Sequence, residues 1–204
     1  MNEVAAILLA AGRSRRMGAF KPLLPFGGRT VVEACINHLQ DAGVERVIVV
    51  LGHRAALMRE KLSHLKVSFA LNDAEESEMS TSIARGVERV PLDAEAILVA
   101  LCDQPMIPPA VIRLLVEEWR RTGAPLVLPE FEGRGGHPVL IDKRFRAELL
   151  NLDAAGGLRS LFHAQREAVR RLAVASPFVA RDMDTWQDYV RLHREVFGVV
   201  PPNR

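Results

Sequence analysis

The segment Ile7 to Gly28 reads ILLAAGRSRRMGAFKPLLPFGG, and its cationic residues Arg13, Arg15, Arg16 and Lys21 follow directly on an apolar run. Charge in that place suits the neutralisation of phosphate oxygens, because strand ends and helix amino ends are where anions are held in α/β sheets. Leu9, Ala10, Ala11 and Gly12 let a backbone come close to a nucleotide, while Gly12 and Gly18 permit a compact turn whose amides face phosphates. Gly12 to Lys21 reads GRSRRMGAFK, where a P-loop needs GxxxxGK[ST]. GxGxxG is missing as well, which argues against an ordinary dinucleotide dehydrogenase. A surface loop of exposed arginines is the competing reading.

A second set of residues could hold a cation. Asp103 follows the apolar run Leu98 to Leu101 and precedes Pro105, and a carboxylate at a strand end can reach a metal and phosphates together. A helix-capping role for Asp103 is the alternative. In Arg181-Asp-Met-Asp-Thr-Trp186, Asp182 and Asp184 point to one side if the segment is extended, and Thr185 with Asp188 forms a variant capping box. The expected ion is Mg²⁺, with most of its oxygen ligands from phosphate and water. His137, between Gly136 and Pro138, sits in a backbone too constrained for an ordinary loop, which fits a binding turn better than proton transfer. Met17 and Met79 are expected to pack, since thioethers suit neither Mg²⁺ nor its geometry.

These residues need a sheet to position them. Val4 to Ala10, Arg46 to Leu51 and Ala96 to Leu101 are short apolar runs of the kind buried on both faces of a parallel sheet. Further strands are expected over Lys66 to Leu71, Leu126 to Leu128, a short run through Ile141, and Val169 to Val174. Helical spacing marks Thr30 to Gln40, Arg54 to Leu62, Ser80 to Val90, Pro109 to Gly123, Phe145 to Leu150, Leu158 to Gln165 and Thr185 to Phe197. Glu132 to Pro138 is expected to be a loop, and Asp73 to Glu78 a polar loop or helix lead. The pattern gives an α/β fold with a mostly parallel central sheet, in one domain over residues 1–200 with a flexible tail over 201–204.

Composition narrows the remaining classes. The chain has 204 residues, 49% hydrophobic and 25% charged, which is an ordinary globular profile. A net charge of +2 does not mark a nucleic-acid surface, and no aromatic stacking platform accompanies the basic residues. No apolar run reaches membrane-spanning length, and the amino-terminal stretch lacks the order of a secretory peptide, so a cytoplasmic protein is expected. The two cysteines, Cys35 and Cys102, have no metal spacing and are expected to be reduced core thiols. No interface stripe stands out, and a monomer is expected.

Taken together, LAAGRSRRMGAFKPLLPFGG, LCDQP at 101–105, GRGGHPVL at 133–140, GLR at 157–159 and RDMDTWQDY at 181–189 resemble the MobA-like nucleotidyltransferases. The likeness is greatest to the molybdenum cofactor cytidylyltransferase branch. It implies a Rossmann-like nucleotidyltransferase domain that transfers CMP from CTP, with Mg²⁺, to the phosphate of molybdopterin cofactor and releases pyrophosphate. Leu9 to Gly12 match the family's nucleotide-binding turn, with Arg13 beside it, and Ser14, Arg16, Met17 and Gly18 match its SxRMG. Arg16 and Lys21 match phosphate-contacting residues, and Asp103 and Asp184 match the metal-binding aspartates. Asn72 and Ser80 resemble residues of the region that helps frame the base and the acceptor. Gly136, His137, Pro138 and Arg159 match the acceptor region. Product delivery to a molybdenum hydroxylase or its chaperone is also implied, with no nucleic-acid or membrane partner.

Two departures bear on the acceptor. Glu78 stands where related cytidylyltransferases commonly carry glycine, and Ala155 replaces an acidic residue in the loop before Arg159. A sugar phosphate or another phosphorylated acceptor is therefore the alternative, followed by a nucleotide-binding regulatory protein without turnover. Ala10-Ala11-Gly12 favours the cytidylyl branch over guanylyl relatives, which more often have Gly-Gly at that point.

Overall fold

The computed structural model describes residues 3–74 and 78–202. The middle of the polar run Asp73 to Glu78 and the last two residues of the expected tail lie outside the described residues. Within that range, Pro201 is buried.

The strands are β1 (Val4–Ala10), β2 (Pro25–Phe26), β3 (Arg29–Thr30), β4 (Arg46–Leu51), β5 (Ser68–Leu71), β6 (Ala96–Leu101), β7 (Leu126–Phe131), β8 (Arg134–Gly135), β9 (Val139–Asp142) and β10 (Val169–Ala173). The helices are α1 (Val31–Asp41), α2 (Ala55–Lys61), α3 (Met79–Arg89), α4 (Pro109–Thr122), α5 (Arg146–Leu150), α6 (Gly157–Ala164) and α7 (Trp186–Phe197). The main sheet runs β10-β7-β9-β6-β1-β4-β5, with β8 added to β7, while β2 and β3 form a separate hairpin. β1 lies parallel to β4 and β6, β5 to β4, and β10 to β7. β9 runs antiparallel to both of its neighbours, so the expected mostly parallel sheet is what the chain builds.

Alternation along β1 explains the two-sided core. Val4, Ala6, Leu8 and Ala10 pack on one face with α1, α4 and α7, whereas Ala5 and Ile7 pack on the other with Ile83 and Val87 of α3. Helix entry is also legible in residue type. Thr30 accepts from the Glu33 amide while the Glu33 carboxylate accepts from the Thr30 amide, a capping box that starts α1. Thr185 and Asp188 do the same for α7, at 3.2 and 2.8 Å. The buried Tyr189 then donates its hydroxyl to the Pro25 carbonyl at 2.6 Å, pinning α7 to the β2–β3 hairpin.

Two expectations need correction. β7 runs on to Phe131 instead of stopping at Leu128, because Pro129, which lacks an N–H, still presents its carbonyl to the Gly136 amide at 2.9 Å. Glu132 to Pro138 is not simply a loop: β8 folds back on β7 through Glu132 and Gly133, whose φ angles of 49° and 78° are those of a tight hairpin turn. Among the described residues, no helix is long and apolar enough to cross a membrane.

The α7 cap supports a direct stability test. Thr185→Ala removes the side-chain acceptor of the first turn and is expected to cost about 1 kcal/mol. For a chain of this size that is a fall of about 2–4 °C in Tm, read by thermal denaturation.

Candidate functional site

The carboxyl ends of β1 and β6 lie side by side, and the loops leaving them build the site. After β1, Ser14 takes a left-handed backbone (φ 54°), its carbonyl accepts from the Met17 amide at 3.0 Å, and its hydroxyl accepts from the Lys21 amide at 3.1 Å. Met17 is fully buried and anchors the loop in the core, while Gly18 turns it at φ 67°. The chain is thus returned so that Lys21 lies over the end of the sheet.

On the β6 side, the Cys102 amide donates to the Leu9 carbonyl, which holds the two strand exits together. The Asp103 carbonyl accepts from the Met183 amide at 3.0 Å, and the Gln104 amide group donates to Asp182 Oδ1 at 2.8 Å. Met183 is buried. These contacts dock the late acidic segment onto the exit of β6 and bring Asp184 beside Asp103.

Lys21 joins them. Its Nζ donates to Asp184 Oδ1 at 3.2 Å and to Asp103 Oδ2 at 3.4 Å, and its side chain is only 12% exposed. Arg16 pairs with the other Asp184 oxygen at 2.9 Å from the solvent side. Four residues expected to work together therefore meet. Burial pushes the Asp103 carboxyl above its ordinary range; Lys21 opposes that rise, and Asp182 and Asp184 add to it. Among the described residues, Asp103 Oδ1 is buried without a hydrogen-bond partner. A buried carboxylate oxygen left in that state fits a hard cation, whose ligands are oxygens. No group of three or more His, Cys, Asp or Glu suited to a metal occurs among the described residues, so the chain offers Asp103 and Asp184 and leaves the other positions to substrate or water.

A cleft of about 350 Å³ opens over this cluster. Leu9, Ala10, Ala11, Gly12, Ser14 and Arg15 form its β1 side; Arg16, Lys21, Asp103 and Asp184 form its charged wall. A Cβ on Gly12 would meet no protein atom within 4 Å, so that backbone faces open space. A second cavity of about 590 Å³ continues from the same loop past Arg13 to Gly52, His53 and Asn72.

Other candidate residues lie elsewhere. Ser80 is buried in α3 and does not line the cleft; Ser82 does, and it accepts from Asn72 Nδ2 at 2.8 Å. Residues 79 and 82 share one helix face, so the helical phase from Met79 is the sequence signal that selects Ser82. Glu78 and Met79 reach the cleft from the start of α3. Gly136, His137, Pro138 and Arg159 do not line it. His137 donates its amide to the Val179 carbonyl at 2.9 Å, and its Nδ1 lies 3.3 Å from the Val99 carbonyl; burial holds the ring below its ordinary pKa. A Cβ on Gly136 would fall 1.8 Å from the Val179 oxygen, so only glycine fits. This turn clamps the chain just before Asp182. Arg159 is exposed on α6. Ser14, which lies in the SxRMG match, and Gln104, which lies in LCDQP, both act here as positioning groups, through the Lys21 amide and Asp182 respectively.

The chain is 30% identical, over 93% of its length and 96% of the relative's, to the nicotine blue oxidoreductase of Paenarthrobacter nicotinovorans. Among solved structures it is similar to Rv0371c of Mycobacterium tuberculosis in complex with manganese, at 29% identity and TM-score 0.80 over 94% of this chain and 98% of that one. It is also similar to a nucleotidyl transferase from Methanothermobacter (Mth528), at 27% identity and TM-score 0.83 over 97% and 99% of the two chains. The model of the MobA-like NTP transferase domain matches residues 6–169, which takes in the basic loop and Asp103 and stops short of Asp184. With the fold, the loop and the strand-end cleft in agreement with that match, the chain belongs to the MobA-like NTP transferase family, a family of nucleotidyltransferases.

Proposed function

We propose that this nucleotidyltransferase transfers CMP from CTP to the terminal phosphate of molybdopterin cofactor and releases pyrophosphate. The observation that carries the reading is the convergence of Lys21 and Arg16 on Asp103 and Asp184 beneath an open cleft. An oxygen of the acceptor phosphate attacks the α-phosphorus as the bond to the β-phosphate oxygen breaks. The nucleophile is already anionic, so no side chain needs to remove a proton.

Each part of the chain has an assigned task. Arg16 and Lys21 offset phosphate charge, and the Ala10-Ala11-Gly12 backbone with Ser14 lets the triphosphate lie close. The base is assigned to the cavity beyond Arg13, with Asn72 as its polar contact and Ser82 fixing the Asn72 amide. Ser80 supports that helix turn from within the core. Asp103 and Asp184 would hold Mg²⁺, as the manganese complex of the Mycobacterium tuberculosis relative supports, and the metal when bound would supply positive charge against phosphate oxygens. Gly136, His137 and Pro138 act on the acceptor side by fixing the chain that carries Asp184, and Arg159 offers exposed charge to an anionic acceptor.

One observation favours a second reading. Glu78 places a carboxylate at the cleft, where it disfavours a strongly anionic acceptor and suits a neutral sugar ring carrying one phosphate. Pyrophosphate release with each of CTP, GTP, ATP and UTP, in the presence of molybdopterin cofactor or a sugar 1-phosphate, separates the two. CTP turnover that requires molybdopterin supports the first; turnover only with a sugar phosphate replaces it, and no turnover by folded protein leaves nucleotide binding alone.

Asp103 also links catalysis to stability. Its folded-state pKa is raised, so its contribution to stability is full below the ordinary value of 3.8 and is lost as pH rises through the folded value. At pH 7 the ionised group therefore costs stability. Asp103→Asn is expected to lower turnover by about 100-fold or more while melting at or above the wild-type temperature at pH 7. Paired kinetic and calorimetric measurements check both halves.

A further inference from the structure

Lys21 is placed where a divalent cation would be expected. Its ammonium lies 3.4 Å from one carboxylate and 3.2 Å from the other, and the protein screens most of its side chain from water. Arg16 covers the outer oxygen of Asp184. Two cations thus already balance the carboxylates that the proposed function gives to the metal. A free Mg²⁺ or Mn²⁺ approaching this cluster meets an ammonium at contact range, where like-charge repulsion in a half-buried site is large. Among the described residues Asp103 Oδ1 has no partner, but Asp103 Oδ2 and both Asp184 oxygens are released only if something more negative takes Lys21 and Arg16 away. A nucleoside triphosphate is such a group, and the cleft opens directly over both cations.

We propose that the Lys21 ammonium stands in for the divalent cation in the nucleotide-free protein, so that metal gains Asp103 and Asp184 only as a triphosphate draws Lys21 and Arg16 off them. The inference rests on the metal-site reading above. It makes Lys21 a device for binding order: the metal enters with the nucleotide and is not stored beforehand. Free metal is kept from occupying the carboxylates and drawing in other phosphate-bearing molecules. The same residue then serves as a phosphate contact, so one side chain has two partners at two stages.

The test measures Mn²⁺ binding to nucleotide-free protein by electron paramagnetic resonance of the free ion. Wild type is expected to bind weakly. Lys21→Met and Lys21→Gln are each expected to bind about ten-fold more tightly or better, with Gln retaining a hydrogen-bond donor should Met fail to fold. Arg16→Gln, which relieves one outer oxygen, is expected to give a smaller gain. The gain is expected to vanish in the Lys21→Gln, Asp103→Asn double variant, and added Mn²⁺ is expected to raise the Tm of Lys21→Gln more than that of wild type. If wild type binds Mn²⁺ as tightly as the Lys21 variants, and Asp103→Asn abolishes binding in each, the stand-in role is wrong and the metal site stands. Should Asp103→Asn change Mn²⁺ binding in none of these backgrounds, the metal-site reading itself fails.

Discussion

The contact on which the site depends is a lysine ammonium shared by two carboxylates that are remote in sequence. Lys21 comes from the loop after the first strand, Asp103 from the exit of the central β6, and Asp184 from the segment that leads into the last helix. Burying either carboxylate alone would be costly, and burial pushes the Asp103 carboxyl up even with Lys21 beside it. The arrangement persists because backbone bonds that have nothing to do with charge hold all three segments in place.

Those bonds form a hierarchy. The parallel pairing of β1 with β6 brings two strand ends together, and the Cys102 amide on the Leu9 carbonyl extends that pairing past the last ladder position. The Ser14 hydroxyl then closes the basic loop onto the Lys21 amide, and the buried Met17 fixes its middle. On the acidic side, the β7–β8 hairpin delivers Gly136 and His137 to the Val179 carbonyl, Gln104 takes Asp182, and the α7 capping box follows immediately after Asp184. The Gly136-His137-Pro138 turn, which resembles a ligand contact in the sequence, also restrains the backbone that leads to Asp182.

Much of this was legible in the residues. Apolar runs bounded by glycine or aspartate gave β1, β4 and β6 their observed limits, since a strand buried on both faces leaves little freedom of pattern. Thr185 with Asp188 read correctly as a cap because the interaction is local. The docking of Asp184 on Asp103 was not derivable from local pattern, because it depends on a main-chain bond between residues about 80 positions apart. Motif order supplied that link instead, and the resemblance named both aspartates before any geometry joined them. Two features were not legible: that Ser82 and not Ser80 lines the cleft depends on helical phase, and the β8 hairpin depends on the positive φ of Glu132, neither of which composition reveals. The family match reaches only to residue 169, so beyond the motif resemblance the reading of Asp184 rests on its contacts with Lys21 and Arg16.

We propose that Asp103 and Asp184 form one metal-binding face whose cation is Lys21 in the absence of nucleotide. This is tested most directly by crystals grown with Mn²⁺ and a non-hydrolysable CTP analogue, with data collected for manganese anomalous scattering. An anomalous peak in contact with both carboxylates is expected, with the Lys21 ammonium moved onto phosphate oxygens. A peak elsewhere on the protein, or Lys21 still bridging the two aspartates with nucleotide and metal bound, would contradict it.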